Sequence, residues 1–421
     1  MTSSKKLGSI VPFNELFYKN CFYNSLFPII NSFGKIVDYF MINDIFIYKS
    51  DDANSILLNC EIKECKQIDQ ILMDIGVGWE KTFRCENLAG NIERAISNDR
   101  PVIVWIDPYY LSIRKDTYEK THMAHTILVY GYDHDKQIYT IIEHRNRENL
   151  YYQEYEISYQ ELEDAYLGYL ERFASEAYDT YYEFFGHTER QVQMIQDKTA
   201  NTQTMVRNLL IQQENVKKGL EDLVSFVETF EIAIADEWFL QSYVNELLAG
   251  INQIITAKQV EKYRLDKLLV TDEQSKQSLD DILACWLYVR SVVAKYLFSS
   301  SFKPEAFETA LEKLLQLPEL EQNYFQSLTS FKVVNLMRSA TIEAKIIELI
   351  QTYCGLDLPV EEVSLQCDLG LYGFNSLQAI KVIVAIEEEY NIEINPEELA
   401  VASLNTLEEI IQFIEQKIAT A

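Results

Sequence analysis

Almost no Gly or Pro interrupts the stretch from about residue 190 to 335, and this restricts the chain more than any other feature of its sequence. Gly supplies the positive φ of tight turns and Pro fixes φ at their corners, so a segment lacking both must run in long regular elements. Within it, VRNLLIQQENVKKGLEDLVSFVETF and DDILACWLYVRSVVAKYLF repeat apolar residues at three- and four-residue spacing, the period of one helix face. A helical domain over 190–335 is expected.

The flanking sequence has a different texture. Residues 10–180 mix a helix-like run, FYNSLFPIINSFGKIVDYF, with the strand-like runs IFIYKS, PVIVWI, HTILVYGY and QIYTIIEH, which predicts one α+β domain. Residues 341–421 hold four short apolar-periodic stretches separated by turn signals, LDLPVEEVS, GLYGFNS, NIEINPEE and ASLNTLEE, and suit a small helical bundle of about 75 residues. That segment also stands apart in charge: it has 3 Lys and Arg against 15 Asp and Glu, a net of −12 within the −28 of the chain.

A chain of 421 residues that is 48% apolar can fill two or three cores. Its 37 Lys and Arg against 65 Asp and Glu set the field of the molecule against a phosphate backbone, so a broad nucleic-acid footprint is disfavoured. The N-terminus has no apolar run with a small-residue cleavage site, and no segment approaches the roughly 20 apolar residues that span a bilayer. A cytoplasmic protein without a membrane partner is the expectation. Seven cysteines without a close C-x-x-C pair argue against a disulfide scaffold and a zinc ribbon.

Three local patterns carry chemistry. Ser376, in DLGLYGFNSL, directly precedes the helix-like LQAIKVIVAIEEEY; a serine there either caps the helix or receives an anionic group, and local chemistry leaves both open. The segment from about 341 to 419 resembles an acyl or peptidyl carrier protein, through Asp368, Leu369, Gly370, Ser376 and Leu377 and through the runs IEEEYNIEINPEEL and TLEEIIQFI. The resemblance implies a four-helix carrier bundle with 4'-phosphopantetheine attached to Ser376, loaded by a phosphopantetheinyl transferase. Asn375 stands where that family usually has aspartate. Glu387, Glu388 and Glu389 are either a docking face for basic partners or a solvated face.

Cys21 enters a probable helix in YKNCFYNSLFPII, where the helix N-terminus favours a thiolate, although a buried small side chain would occupy the same position. His125 opens the strand-like HTILVYGY and Glu143 closes the next run, so adjacent antiparallel strands would bring a base and an orienting acid together. NCFYNSLFPII, PVIVWIDPYYL and AHTILVYGYDHDKQIYTII resemble, in order, papain-like cysteine domains of the bacteriocin-leader-peptidase type and, more closely, the N-terminal domain of the butirosin-biosynthesis acyltransferase family. The resemblance implies a papain-like fold with Cys21 as nucleophile, His125 as base and Glu143 as the third residue, where peptidase relatives carry aspartate or asparagine. Those relatives place a glutamine ahead of the cysteine; here the Cys21 N–H with Asn24, ahead of Asn20, is the expected oxyanion donor set. Asp107, in VWIDPYY, would bind an amine or order the pocket.

His122, His134 and His144 with Asp133, Asp135 and Glu143 make the region rich in ligand types, but their spacing matches no zinc pattern and no metal is expected. A glycine-rich phosphate loop is missing from the sequence. The combination predicts cysteine-dependent transfer of an acyl or aminoacyl group from a carrier thioester to a small-molecule amine, with carrier proteins or synthetase modules as partners. The alternatives are a thioesterase or cyclase acting on a carrier-bound chain, a noncatalytic scaffold for the carrier, and a peptidase.

Overall fold

The computed structural model describes residues 3–50, 56–146, 150–175, 179–186, 198–271, 273–354, 369–390, 392–395 and 404–420. The chain divides into two compact units, Met1–Ser327 and Leu328–Ala421. Helical and α+β sequences thus share the first unit.

The elements of the first unit begin with β1 (Ser4–Lys6), α1 (Cys21–Ser32), α2 (Asp38–Ile42), β2 (Asp44–Ser50), β3 (Leu58–Glu64), α3 (Ile68–Asp74), β4 (Val77–Thr82) and α4 (Leu88–Ser97). They continue with β5 (Val102–Ile106), β6 (His125–Asp133), β7 (Ile138–Glu143), β8 (Gln153–Ser158), α5 (Tyr159–Arg172) and β9 (Tyr181–Gly186). The helical run then supplies α6 (Lys198–Ile211), α7 (Gln213–Ala235), α8 (Glu237–Tyr263), α9 (Glu273–Ser299) and the start of α10 (Pro304–Cys354).

Seven strands form an antiparallel sheet in the order β4-β9-β5-β6-β7-β8, with β1 added to β6. Val102, Val104, Ile106, Ile127 and Val129 cluster with α4 and α5 residues in one core. Alternate residues of these strands, Ile103 and Leu128, point the other way, toward the side where α1 packs on β5 and β6. Leu26, Phe27, Ile29 and Ile30 of α1 are fully buried, and at about 1.5–3 kcal/mol each they fix this helix firmly on the sheet. The sequence predicts one helical run through residue 40; the chain instead breaks at Gly34, whose φ of +68 ends the first helix.

The hairpin of β2 and β3 is a separate two-stranded sheet. Helices from the distant Gly-poor run close directly onto it, and the two glycines of α7 and α8 mark the contacts. A Cβ on Gly219 would meet the Tyr48 carbonyl oxygen at 2.9 Å, and one on Gly250 would meet that of Leu58 at 2.2 Å. Only glycine lets helix and strand backbones approach so closely.

Below the hairpin lies a buried polar cluster. Lys258 Nζ pairs with Glu321 at 2.8 Å and Glu261 at 3.2 Å, Tyr48 donates to Glu321, and the fully buried Trp286 donates to the Tyr48 hydroxyl at 3.0 Å. Helix α9 is long and apolar enough to cross a membrane, with a mean hydropathy of 1.3 in its best window, which corrects the expectation that no segment would reach that measure. Its residues Leu279, Ile282, Trp286, Val289 and Val293, spaced by three and four, are buried within the unit, so its apolarity serves a protein core.

In the second unit, Ile346, Ile347 and Ile350 near the end of α10 join α11 (Ser376–Tyr390) and α12 (Leu407–Thr420) around Val382, Ile383, Ile386, Ile410 and Ile414. No helix end falls at the expected 335/341 boundary, because α10 runs through it. Asp368, and any further helix between α11 and α12, lie outside the described residues.

Candidate active site

The N-terminus of α1 is built by the three residues before it and at its start. Asn20 is the cap: its backbone is extended and its Oδ1 accepts from Phe22 N at 3.0 Å. Cys21 therefore becomes the first helical residue, with a backbone N–H that has no intrahelical partner. Lys19 takes a left-handed φ of +51, which disfavours a residue with a Cβ. Its ammonium is held 2.6 Å from Asp44 Oδ2 and 2.8 Å from Glu64 Oε1, and these two acids face each other across the β2–β3 hairpin. The hairpin thus clamps the entry to the cysteine.

His125 opens β6 and Glu143 closes β7, as the sequence pattern anticipates. His125 Nε2 lies 2.8 Å from Glu143 Oε2, and the imidazole and the Cys21 thiol line the same cavity and act on each other electrostatically. Glu143 Oε1 accepts the His144 backbone N–H at 2.7 Å and the Arg114 guanidinium at 3.4 Å. His144 Nδ1 is 2.7 Å from the same oxygen but off the line of a hydrogen bond. Arg114, itself fully buried, grips Asp116 with two nitrogens at 3.0 and 3.1 Å. Glu143 is therefore fixed from three sides.

The electrostatics follow from that geometry. Burial pushes the Cys21 thiol up, but the neighbouring His125 charge outweighs it and the thiol ends below its ordinary value. Burial pulls the His125 imidazole down, yet the carboxylate of Glu143 and the sulfur raise it to about 9. Glu143 is opposed by its own burial, and the His125 charge still holds it well below the usual carboxylate range. All three shifts favour a thiolate and imidazolium pair over a neutral thiol and imidazole.

Cys21 and His125 face a cavity of about 580 Å3, with Glu143 buried behind the imidazole. Its lining joins Lys19, Asn20, Cys21, Arg114, His125 and Tyr152 with Phe46, Cys60 and Ile62 of the hairpin and Asn252, Gln253, Thr256 and Ala257 of α8. The helical run therefore contributes directly to the site. Asn20 is exposed in this lining, and its Nδ2 is uncommitted by any described bond, whereas Asn24 is buried with Oδ1 accepting from Tyr18 N at 3.0 Å and Nδ2 donating to Leu16 O at 3.2 Å. Asn24 is spent on the loop before α1.

Asp107 does not line the cavity. Its Oδ1 accepts the N–H groups of Tyr109 and Met123, and its Oδ2 lies 2.6 Å from His122 Nδ1. It thereby ties down the loop whose Met123 and Ala124 enter the wall just before His125. His134 sits at the far turn of the β6–β7 hairpin, 3.1 Å from Glu93. His125, Glu143 and His144 place one potential metal-ligating atom each within 4.8 Å of one another, but a cation there would compete with the hydrogen bonds that orient His125. Arg114, Tyr152 and the α8 wall carried no local sequence signal. His144 carried one, its adjacency to Glu143 in IIEHR.

The second site lies in the other unit. Ser376 is the first residue of α11, but the cap is Asn375, whose Oδ1 accepts from Leu377 N at 3.1 Å and Gln378 N at 3.2 Å while Gln378 Oε1 accepts from Asn375 N at 2.9 Å. Gly373, at φ +91, turns the chain into it. The Ser376 hydroxyl is thus exposed and not spent on capping, at the positive end of a helix where a phosphate is favoured. Residues present at this site fit a phosphate ester on that hydroxyl. Of the three glutamates downstream, Glu387 accepts from Ile394 N at 2.7 Å and Glu389 pairs with Lys345 at 3.3 Å, while Glu388 is exposed.

Comparison with known proteins gives two family matches. Residues 45–144 match the family described as butirosin biosynthesis protein H, N-terminal, a span that contains His125 and Glu143 and begins after Cys21. Residues 344–414 match the phosphopantetheine attachment site family, which places a covalently attached phosphopantetheine on a serine of this module. An acyl carrier protein of Guillardia theta is 34% identical over 80 residues, covering 18% of this chain and 96% of that protein.

Proposed function

The chain belongs to the acyl carrier protein family through its C-terminal module and joins that module to a domain of the butirosin biosynthesis protein H N-terminal family; from that premise we propose that it is a cysteine-dependent acyltransferase making amides from acyl or aminoacyl thioesters. The observation that carries the reading is Cys21 and His125 in one cavity wall with Glu143 bonded behind the imidazole, within a chain that also bears a carrier module. A helix-borne cysteine with a histidine and acid on neighbouring strands supports the papain-like reading. Phosphopantetheine on Ser376 supplies a thiol that holds an acyl group as a thioester, and a phosphopantetheinyl transferase is the partner needed to install it.

Cys21 thiolate attacks the carbonyl of the donor thioester, forming a new C–S bond. The resulting oxyanion is met by the Cys21 N–H and Asn20 Nδ2, both uncommitted at the cavity wall. Collapse breaks the donor C–S bond, and the departing thiolate takes the proton that His125 carries. A primary amine then attacks the acyl-Cys21 thioester while neutral His125 accepts its proton, and the second collapse returns thiolate to Cys21. The net change is thioester plus amine to amide plus thiol. Thioester exchange is near balance and the amide is the more stable product, so no nucleotide is consumed.

Intact-mass analysis of the full chain incubated with an acyl-pantetheine thioester tests this directly. One acyl group on Cys21, chased into an amide by added amine, is the expected result. Free acid alone in the presence of many amines would instead mark a thioesterase, and unlabelled Cys21 would sink both.

A further inference from the structure

A second groove, of about 1030 Å3, lies between the C-terminal half of α9 and the start of α10, and Asn252 of α8 lines both it and the catalytic cavity. Its chemistry is opposite to that of the molecule. Acids outnumber bases 65 to 37 over the chain, yet this groove is lined by Arg290, Lys295 and Lys303 and by no Asp or Glu among the described residues. None of the three bases forms an ion pair among the described residues, whereas most other lysines near the catalytic cavity are paired. Phe298 stands beside them with 82% of its surface exposed.

Three unpaired cations around a concave surface focus a local positive potential within an acidic field, which concentrates an anion there and not elsewhere. A groove that combines them with exposed apolar surface suits a ligand with one anionic end and an extended, weakly polar arm. Asn252, which lines both, puts the groove beside the catalytic cavity and sets the direction of that arm toward Cys21. We propose that Arg290, Lys295 and Lys303 bind the phosphate of a phosphopantetheine thioester, and that the groove leads the acyl end over Asn252 into the catalytic cavity. The assignment rests on the acyl-transfer reading, and it adds the part of the donor that this chain recognises: the phosphate, 4'-linked to the pantetheine arm, whether that arm is free or carrier-borne.

The test uses the full chain with Ser376→Ala, so that the fused carrier accepts no acyl group. The same acyl group is presented on pantetheine, on phosphopantetheine and on a separate carrier protein, and the rate of Cys21 acylation is read by intact mass. The phosphate is expected to raise kcat/KM roughly tenfold over pantetheine at low ionic strength, an advantage that shrinks as salt is added. In Arg290→Ala/Lys295→Ala/Lys303→Ala that ratio falls to about one, with thermal unfolding confirming that the variant folds. No phosphate advantage, or an advantage that survives the triple substitution, overturns the proposal. Faster acylation from the carrier-borne donor supports the site and names a carrier as the source; equal rates support it with a soluble thioester as the source. Calorimetry of phosphopantetheine against pantetheine reads the groove even if Cys21 is never acylated: tighter binding of the phosphorylated arm, lost in the triple variant, supports the groove, and equal binding overturns it.

Discussion

At the start of α1, Asn20 caps the helix and Cys21 follows; at the start of α11, Asn375 caps and Ser376 follows. In both places an asparagine side chain takes the capping role, and a nucleophilic atom one residue later is released from it. The surroundings then separate the two sites. Cys21 lies beside an imidazole held by a buried carboxylate, so its thiol is lowered, as the proposed nucleophile requires. Ser376 is exposed at the surface of a small helical unit, where only an external enzyme can activate its hydroxyl. On the proposed function, capping presents each group, and neighbouring charge decides which of the two reacts unaided.

The largest effect expected from breaking this comparison is loss of the nucleophile. Cys21→Ala should lower amide formation by on the order of 10⁴-fold or more, measured as turnover of a small thioester. Ser376→Ala should abolish the mass gain on treatment with a phosphopantetheinyl transferase. A gain on another residue would remove Ser376 from the comparison.

Next comes the charge that distinguishes the sites. Glu143→Gln should cost about 10²-fold or more in kcat/KM and should move its alkaline limb downward. The sign follows from His125, which the carboxylate raises to about 9: activity that needs imidazolium falls as pH rises through that value, and without Glu143 it falls earlier. Stability follows the same shifts. The raised His125 contributes stability that is fully present below its unfolded value of about 6.5 and is lost as pH rises toward about 9. The depressed Glu143 contributes stability that is present above its unfolded value of about 4.5 and is lost as pH falls below it. Both trends should appear in urea unfolding of the wild type and flatten in Glu143→Gln.

What could be read in advance was what lies close along the chain. His125 and Glu143 meet because one opens and the other closes consecutive strands, and strand pattern is visible in a short window. The helical run was equally plain, and it was nearly uninterrupted because its two glycines serve packing. What stayed hidden were partners brought in from afar: Arg114 behind Glu143, the Asp44 and Glu64 clamp on Lys19, and the α8 wall of the cavity. The sequence ranks Asn24 ahead of Asn20 as the donor, because no local pattern shows which amide the loop before α1 consumes. In the structure, Tyr18 and Leu16 take both ends of Asn24.

That distinction supplies the next test. Asn20→Ser keeps an oxygen that can cap α1 but removes the uncommitted amide from the cavity wall, so it should lower kcat by about 10²-fold with little change in stability, the cost of one oxyanion donor. If kcat instead stays within a few-fold of wild type, the backbone N–H of Cys21 suffices and Asn20 is a cap alone. Asn24→Ala should do the reverse, lowering stability through the freed Tyr18 N–H and Leu16 carbonyl while affecting kcat chiefly through misplacement of α1.

The smallest effect is expected at the matching position of the carrier. Asn375→Ala removes a reciprocal cap from α11 and should cost the second unit about 1 kcal/mol, seen as a modest fall in its melting temperature. Asn375→Asp keeps the cap and adds negative charge at a helix N-terminus, where it is favoured by a few tenths of a kcal/mol. Loading of Ser376 should follow the cap: retained in Asn375→Asp, slowed in Asn375→Ala as the first turn frays. A loading rate equal in all three would mean that the transferase reads the hydroxyl without regard to the helix start, and the parallel with Asn20 and Cys21 would then end at geometry.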